Sequence, residues 1–307
     1  MSHVISASRR TDIPAFYTDW LLTRLKAGYV YVQHPFTRKL FTVSLKQENV
    51  SAIVFWSKHY APLLSRLESV ERTTKNLFFH FTITGLAELE SNVPDVRSAC
   101  RDFVFLAGRY SPEQIVWRYD PICITDKLPF ELFEERFALC CELLKGHARR
   151  CFISFVHPYK KVLTNLGKYS GQQLAEVATG KKREYAHRLA AHAEPYGIRL
   201  FACCNDDLVS GHVRKASCID GRLLSMLFKT PIDARTASSR KECACTKSID
   251  IGAYDTCAHG CLYCYATVDK RRAESVHQRH NPEWNSLTRH VDETEIDPAG
   301  EQLTCTF

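Results

Sequence analysis

The feature that most constrains this chain is an alternation. β-rich runs at residues 4–7, 52–56, 77–84, 115–117, 151–156, 198–203 and 248–253 are separated by stretches whose apolar residues recur at helical spacing. Those helical stretches lie at 16–25, from Pro62 onward with Leu63, Leu64 and Leu67 on one side, at 96–106, 130–144 and 181–193. A hairpin at 29–33 and 40–43, with Pro35 in its turn, interrupts the pattern once. Strands alternating with helices predict a parallel sheet with helical crossovers, because parallel neighbours cannot be joined by a tight turn. The expected fold is α/β: a single-domain, TIM-barrel-like (β/α) barrel, full or partial, over residues 1–276, with an extension at 277–307 that ends in an acidic tail. A chain of 307 residues can fill one such domain.

Several predicted strands run out into polar residues: Arg9-Arg10-Thr11-Asp12, Ser57-Lys58, Thr82 and Thr84, Arg118-Tyr119-Asp120, and His157 with Lys160. In a parallel barrel these C-terminal ends share one mouth, where active sites form. Arg9, Arg10, Asp12, Arg118, Tyr119 and Asp120 are therefore the candidate catalytic residues. An arginine fork suits a carboxylate or phosphate. Asp12 and Asp120 could bind a ribose or orient the arginines, and Tyr119 and Tyr159 could relay a proton or hydrogen atom.

The formal net charge is +7, and residues 141–200 carry eleven Lys/Arg against four Asp/Glu. That balance favours an anionic substrate or nucleic acid as partner. With 45% apolar residues, disorder is excluded as the dominant state. No apolar run approaches the roughly 20 residues that span a bilayer. Arg9 and Arg10 stand where a signal peptide needs apolar residues, so a cytoplasmic location without membrane contact is expected.

The fourteen cysteines are unevenly placed. Cys100, Cys123, Cys140, Cys141 and Cys151 are scattered and read as small core residues. Cys257-Ala-His-Gly-Cys261-Leu-Tyr-Cys264 sets three thiols in one tight loop directly after a predicted strand. A cubane [4Fe–4S] cluster normally takes four thiolates, so three would leave one iron open to a ligand; zinc is the other metal such residues suit. Cys203, Cys204, Cys218, Cys243 and Cys245 form a second group. Neighbours on a strand face opposite ways, and Cys204, nearer the strand's C-terminal end, is the expected ligand beside Cys218, Cys243 and Cys245. This set suits a second [4Fe–4S] cluster or zinc.

The CxxxCxxC spacing, with Tyr263 before its last cysteine, resembles the radical S-adenosylmethionine (SAM) superfamily. The resemblance implies that Cys257, Cys261 and Cys264 hold a [4Fe–4S] cluster whose open iron chelates SAM, and that Tyr263 lies near the adenine. It further implies reductive cleavage of SAM to a 5′-deoxyadenosyl radical that abstracts hydrogen, with a reductant such as flavodoxin or ferredoxin. The Tyr-Cys-Tyr-Ala ending also resembles the cluster loop of the spore photoproduct lyase branch. Together, the run Ser6-Ala-Ser-Arg-Arg-Thr-Asp-Ile-Pro14, the run Trp117-Arg-Tyr-Asp-Pro121 and the cysteine loop resemble an uncharacterised bacterial domain family.

This chain departs from the superfamily in two ways. Its cluster loop follows the last strand rather than the first, and no Gly-Gly-Glu or GxIxG run is present. A circularly permuted barrel accounts for the first departure and requires strand 248–253 to lie parallel to strand 4–7. The alternative reading is an iron–sulfur or zinc protein acting in nucleic-acid binding or electron transfer without SAM chemistry.

Overall fold

The computed structural model describes residues 2–237 and 242–297. Among these residues ten strands are formed: β1 (His3–Ala7), β2 (Tyr29–Gln33), β3 (Leu40–Ser44), β4 (Val50–Ser57), β5 (Leu77–Thr82), β6 (Ile115–Ile122), β7 (Arg150–Phe155), β8 (Arg199–Ala202), β9 (Val213–Lys215) and β10 (Ile249–Asp250). Eight of them make one sheet in the order β10-β1-β4-β5-β6-β7-β8-β9, every pair parallel. β2 and β3 form the expected antiparallel hairpin. The inner strands read as near-continuous apolar runs because both faces of the sheet are covered.

The helices are α1 (Ile13–Phe16), α2 (Thr18–Ala27), α3 (Ala61–Leu64), α4 (Leu67–Glu71), α5 (Val96–Arg109), α6 (Phe130–Leu143), α7 (Lys160–Ser170), α8 (Thr179–Ala193), α9 (Gly221–Phe228) and α10 (Lys270–Gln278). Local chemistry sets several boundaries. Asp95 caps α5 by accepting from the Ser98 N–H, and Asp220 caps α9 through Arg222 and Leu223. Gly28, at φ +77°, ends α2 in the left-handed conformation.

Alternate strand residues divide the core in two. Phe79, Phe81, Trp117 and Tyr119 pack with Phe103 of α5 and Phe133 and Phe137 of α6. On the opposite face Val4, Ala52, Val54, Phe78, Val116 and Phe152 pack with Cys218, Ile219 and Leu224 of the α9 segment. The strand order advances in one direction from β1 to β9, so right-handed crossovers place successive helices on the same face.

The expected barrel is corrected here. β10 does pair in parallel with β1, setting Ile5 against Ile249 and Ser6 against Asp250. Closure, however, would require β9 to pair with β10, and among the described residues these strands are the two edges of an open sheet. Both are very short, and the α9 segment packs on the face a closed barrel would enclose. The fold is a mixed α/β architecture with a large eight-stranded parallel sheet flanked by helices. β9, α7 and α9 were not anticipated from periodicity.

Beyond α10 the chain straps the hairpin side of the molecule. The Trp20 indole donates to the Trp284 carbonyl at 2.9 Å, and Tyr31 N–H donates to the Asn285 carbonyl at 2.9 Å. Leu287 is buried in the main core. The end of the acidic tail, with Glu301 and Cys305, lies outside the described residues.

Candidate functional site

The C-terminal ends of the strands are bound together by carboxylates. Asp250 is fully buried and accepts from Ser6 Oγ (2.9 Å), Ser8 Oγ (2.6 Å), the Arg9 N–H (2.8 Å), Arg10 Nε (3.1 Å) and the Gly252 N–H (3.0 Å). Burial works to raise its pKa, but Arg10, Arg9 and these donors outweigh burial and hold the carboxylate below its ordinary value. Gly252 is required at its position because a Cβ there would collide with the Ser8 side chain. An acid within the apolar run Ile249-Asp-Ile251 was the available signal for this residue, and sequence reasoning missed it.

Asp12 makes a second junction. Its Oδ1 caps α1 by accepting from the Ala15 N–H at 2.9 Å, and its Oδ2 accepts from the Lys58 N–H at 2.8 Å. The same oxygen lies 2.7 Å from His259 Nε2, and the other ring nitrogen, Nδ1, lies 2.8 Å from the Asn92 carbonyl oxygen. His259 sits inside the cysteine loop, so Asp12 joins the end of β1, the end of β4 and that loop. Gly260, next in line, has φ +71°, a conformation that favours glycine, and it turns the chain into Cys261.

A third group holds the loop's far end. Tyr263, Lys58 (3.0 Å from Oε1) and Thr84 (2.6 Å) all donate to Glu90, whose side chain is 1% exposed. The Lys58 ammonium also lies 5.7 Å from the centre of the Tyr263 ring. Burial first, then Glu90, raises the Tyr263 pKa well above its ordinary value and keeps the phenol protonated. Lys161, at the start of α7, donates to the Tyr265 carbonyl, and the Tyr265 hydroxyl donates to the Arg9 carbonyl at 2.6 Å. The loop therefore sits over the ends of β1 and β4 and against the segments that follow β5 and β7.

The three loop cysteines are half-buried and free. Burial pushes the Cys257 and Cys261 thiols up; Asp12 adds to this at Cys257, while Lys58 opposes it at Cys261. The Ala266 N–H points at Cys264 Sγ from 3.3 Å. Among the described residues no three His, Cys, Asp or Glu side chains converge as a site for a single ion. His259, the histidine within the loop, has both ring nitrogens against oxygen acceptors and does not join the thiols. The donor set that remains is three thiols, which fits a cluster with one iron left open.

The candidate catalytic residues are not all brought together. Arg9 reaches Ser248 Oγ at 3.0 Å, and Arg10 is buried against Asp250. Arg118 is paired with Asp120, which also accepts from Ser154. All three arginines are thus engaged by the protein itself. Burial lowers the Arg118 pKa, but Asp120 and Cys218 outweigh burial and hold it well above its ordinary value. Tyr119 lies on the other face of the sheet, where its hydroxyl donates to the Phe133 carbonyl at 2.7 Å. His157 and Tyr159 are exposed against each other, with ring centres 4.4 Å apart.

Sequence reasoning did not single out Glu90, Asp250 or His259 for roles here. Cys204, Cys218, Cys243 and Cys245 do meet, together with Cys203, on the α9 side of the sheet. No helix among the described residues is long and apolar enough to cross a membrane.

Comparison with curated proteins finds no match to the chain. A family model described as a domain of unknown function (DUF1848) matches residues 4–266, a span that holds both cysteine groups and every junction described above, and the chain belongs to that family.

Proposed function

We propose that this protein is a radical SAM enzyme in which Cys257, Cys261 and Cys264 hold a [4Fe–4S] cluster, the fourth iron being left for SAM. The observation that carries this reading is the orientation of His259: it turns away from the thiols, so the loop offers three soft ligands and no fourth. When bound, such a cluster supplies the electron that cleaves SAM reductively, giving an organic radical that takes hydrogen from a substrate.

The chain's own residues do the positioning. Asp12 and the Asn92 carbonyl fix His259, and with it the turn at Gly260. The Ala266 N–H directed at Cys264 and the ammonium of Lys58 acting on Cys261 offset negative charge on thiolate sulfur. Glu90 orients Tyr263 by accepting from its hydroxyl; the superfamily resemblance implies that this residue lies near the adenine. Leu262 and Tyr263 are buried and keep water from the inner side of the loop. Arg9, Arg10, Asp12, Arg118 and Asp120 shape the strand ends, where an anionic substrate is bound; Tyr119, on the other face, takes no part. The reductant is a flavodoxin- or ferredoxin-like protein, and the enzyme works in the cytoplasm.

The test is anaerobic reconstitution with ferrous iron and sulfide, followed by incubation with SAM and dithionite. Release of 5′-deoxyadenosine is expected. Reconstituted protein that carries iron yet releases none would support the alternative, an iron–sulfur protein without SAM chemistry. Purified protein holding zinc in the loop would overturn the cluster and leave the zinc form of the alternative.

A further inference from the structure

Five thiols outside the cysteine loop form a closed ring. Cys203 Sγ lies 3.0 Å from Cys218 Sγ. Cys203 also meets Cys204, Cys204 meets Cys243, Cys243 meets Cys245, and Cys245 meets Cys218. Every thiol in the ring therefore has two thiol neighbours, and none is in a disulfide.

The ring has a particular place in the topology. Cys203 and Cys204 follow β8, Cys218 follows β9, and Cys243 and Cys245 lead into β10. β9 and β10 are the two edges of the sheet. The thiols therefore lie between the two edges, beside the backbone bond from the Thr246 N–H to the Ile219 carbonyl at 2.8 Å.

Two cationic side chains lie beside the ring. Arg118 Nη1 donates to Cys218 Sγ at 3.2 Å, and the charge of Arg9 acts on Cys245 and Cys218. His80 Nε2 lies 2.6 Å from the Cys218 carbonyl oxygen and fixes that residue's backbone. Neutral thiols bond weakly and gain little from packing sulfur against sulfur. Two guanidinium groups facing them would be poorly used by uncharged S–H. Thiolates on a soft metal, by contrast, need both the sulfur set and the outer donors.

We propose that this ring is a second metal centre, ligated by four of its five thiols as thiolates, that takes zinc or a [4Fe–4S] cluster and fastens the two edges of the sheet together. The sulfurs now touch one another, and among the described residues none is spaced as a formed single-ion site. Tetrahedral zinc at about 2.3 Å from each sulfur sets the sulfurs ~3.8 Å apart, so metal entry would part Cys203 and Cys218, now 3.0 Å apart, by less than the width of an atom. Each thiol that binds releases its proton to solvent.

The site stands apart from the cysteine loop, and the experiment separates the two. Full-length C257A/C261A/C264A protein is exposed anaerobically either to zinc alone or to ferrous iron with sulfide, desalted, and its metal counted by mass spectrometry. The expected result is about one zinc or about four irons per chain, with a raised Tm. Adding C218S and C245S should abolish both the uptake and the rise. The arm that fills to stoichiometry identifies the metal. A triple variant that melts cooperatively yet takes up neither metal overturns the proposal, as does undiminished uptake after C218S/C245S. Should the triple variant fail to fold, C218S/C245S in the otherwise native chain must lower the metal content by the same amount, and unchanged content overturns the proposal.

Discussion

Asp12 and His259 are 247 residues apart in sequence, yet Asp12 Oδ2 lies 2.7 Å from His259 Nε2, with both side chains almost wholly buried. This contact anchors the cysteine loop to the start of the sheet. It also holds the loop's histidine against Asp12, with its other ring nitrogen against the Asn92 carbonyl.

Asp12→Ala should be far more damaging than His259→Ala. The aspartate serves the Ala15 and Lys58 N–H groups as well as His259. Each buried donor left unpaired costs about 1–3 kcal/mol. Asp12→Ala is expected to cost ~3 kcal/mol or more, and His259→Ala about half of that. Urea unfolding at neutral pH checks the ranking; equal losses would show that Asp12 is not the junction described.

Lys58→Met should strand Glu90. The Glu90 carboxylate is 1% exposed, and Lys58 is its cationic partner. Removing one member of a buried pair costs about 3–5 kcal/mol. The double variant K58M/E90Q should recover much of that loss, since no unpaired charge remains. Additive losses in the double-mutant cycle would contradict a coupled pair.

Asp250 should govern acid stability. Its folded-state pKa lies below the ordinary value of 3.8, so the stability it contributes is fully present above that value and is lost as the pH falls through the folded-state pKa. Asp250→Asn should be destabilised at neutral pH by about 3–5 kcal/mol, because Arg10 loses its partner. Below pH 3.8 its unfolding midpoint should fall less steeply than that of the native chain. Parallel pH profiles for the two proteins would exclude this role.

On the function proposed above, Tyr119→Phe should leave SAM cleavage unchanged. The hydroxyl bonds the Phe133 carbonyl beneath α6 and is enclosed in the main core. The loss of one net hydrogen bond predicts a stability change of about 1 kcal/mol. Arg118→Met, one residue earlier and on the other face, removes a cation buried between Asp120 and Cys218, and it should lower 5′-deoxyadenosine release at least tenfold. A Tyr119→Phe variant with similarly reduced release would reverse the assignment of faces.

Much of the secondary structure is legible in the sequence because its causes are local. Helices α5 and α6 follow from apolar spacing, with a capping aspartate at the start of α5. The inner strands follow from short apolar runs, and the three loop thiols are fixed by their spacing in eight residues. That Arg118 and Tyr119 face opposite ways is also implied by strand geometry. Which face meets the cysteine loop is not implied.

Closure, partnership and charge balance were decided by tertiary structure alone. Strand–helix alternation is common to closed barrels and to open sheets wound in one direction, and the two differ only in whether the edge strands pair. β9 and β10 are too short to announce their partners. Asp250 with Arg10 and Glu90 with Tyr263 meet through chain separations that no periodicity records. A local pattern fixes which way a side chain leaves its own backbone, whereas the group it meets depends on how the whole sheet winds.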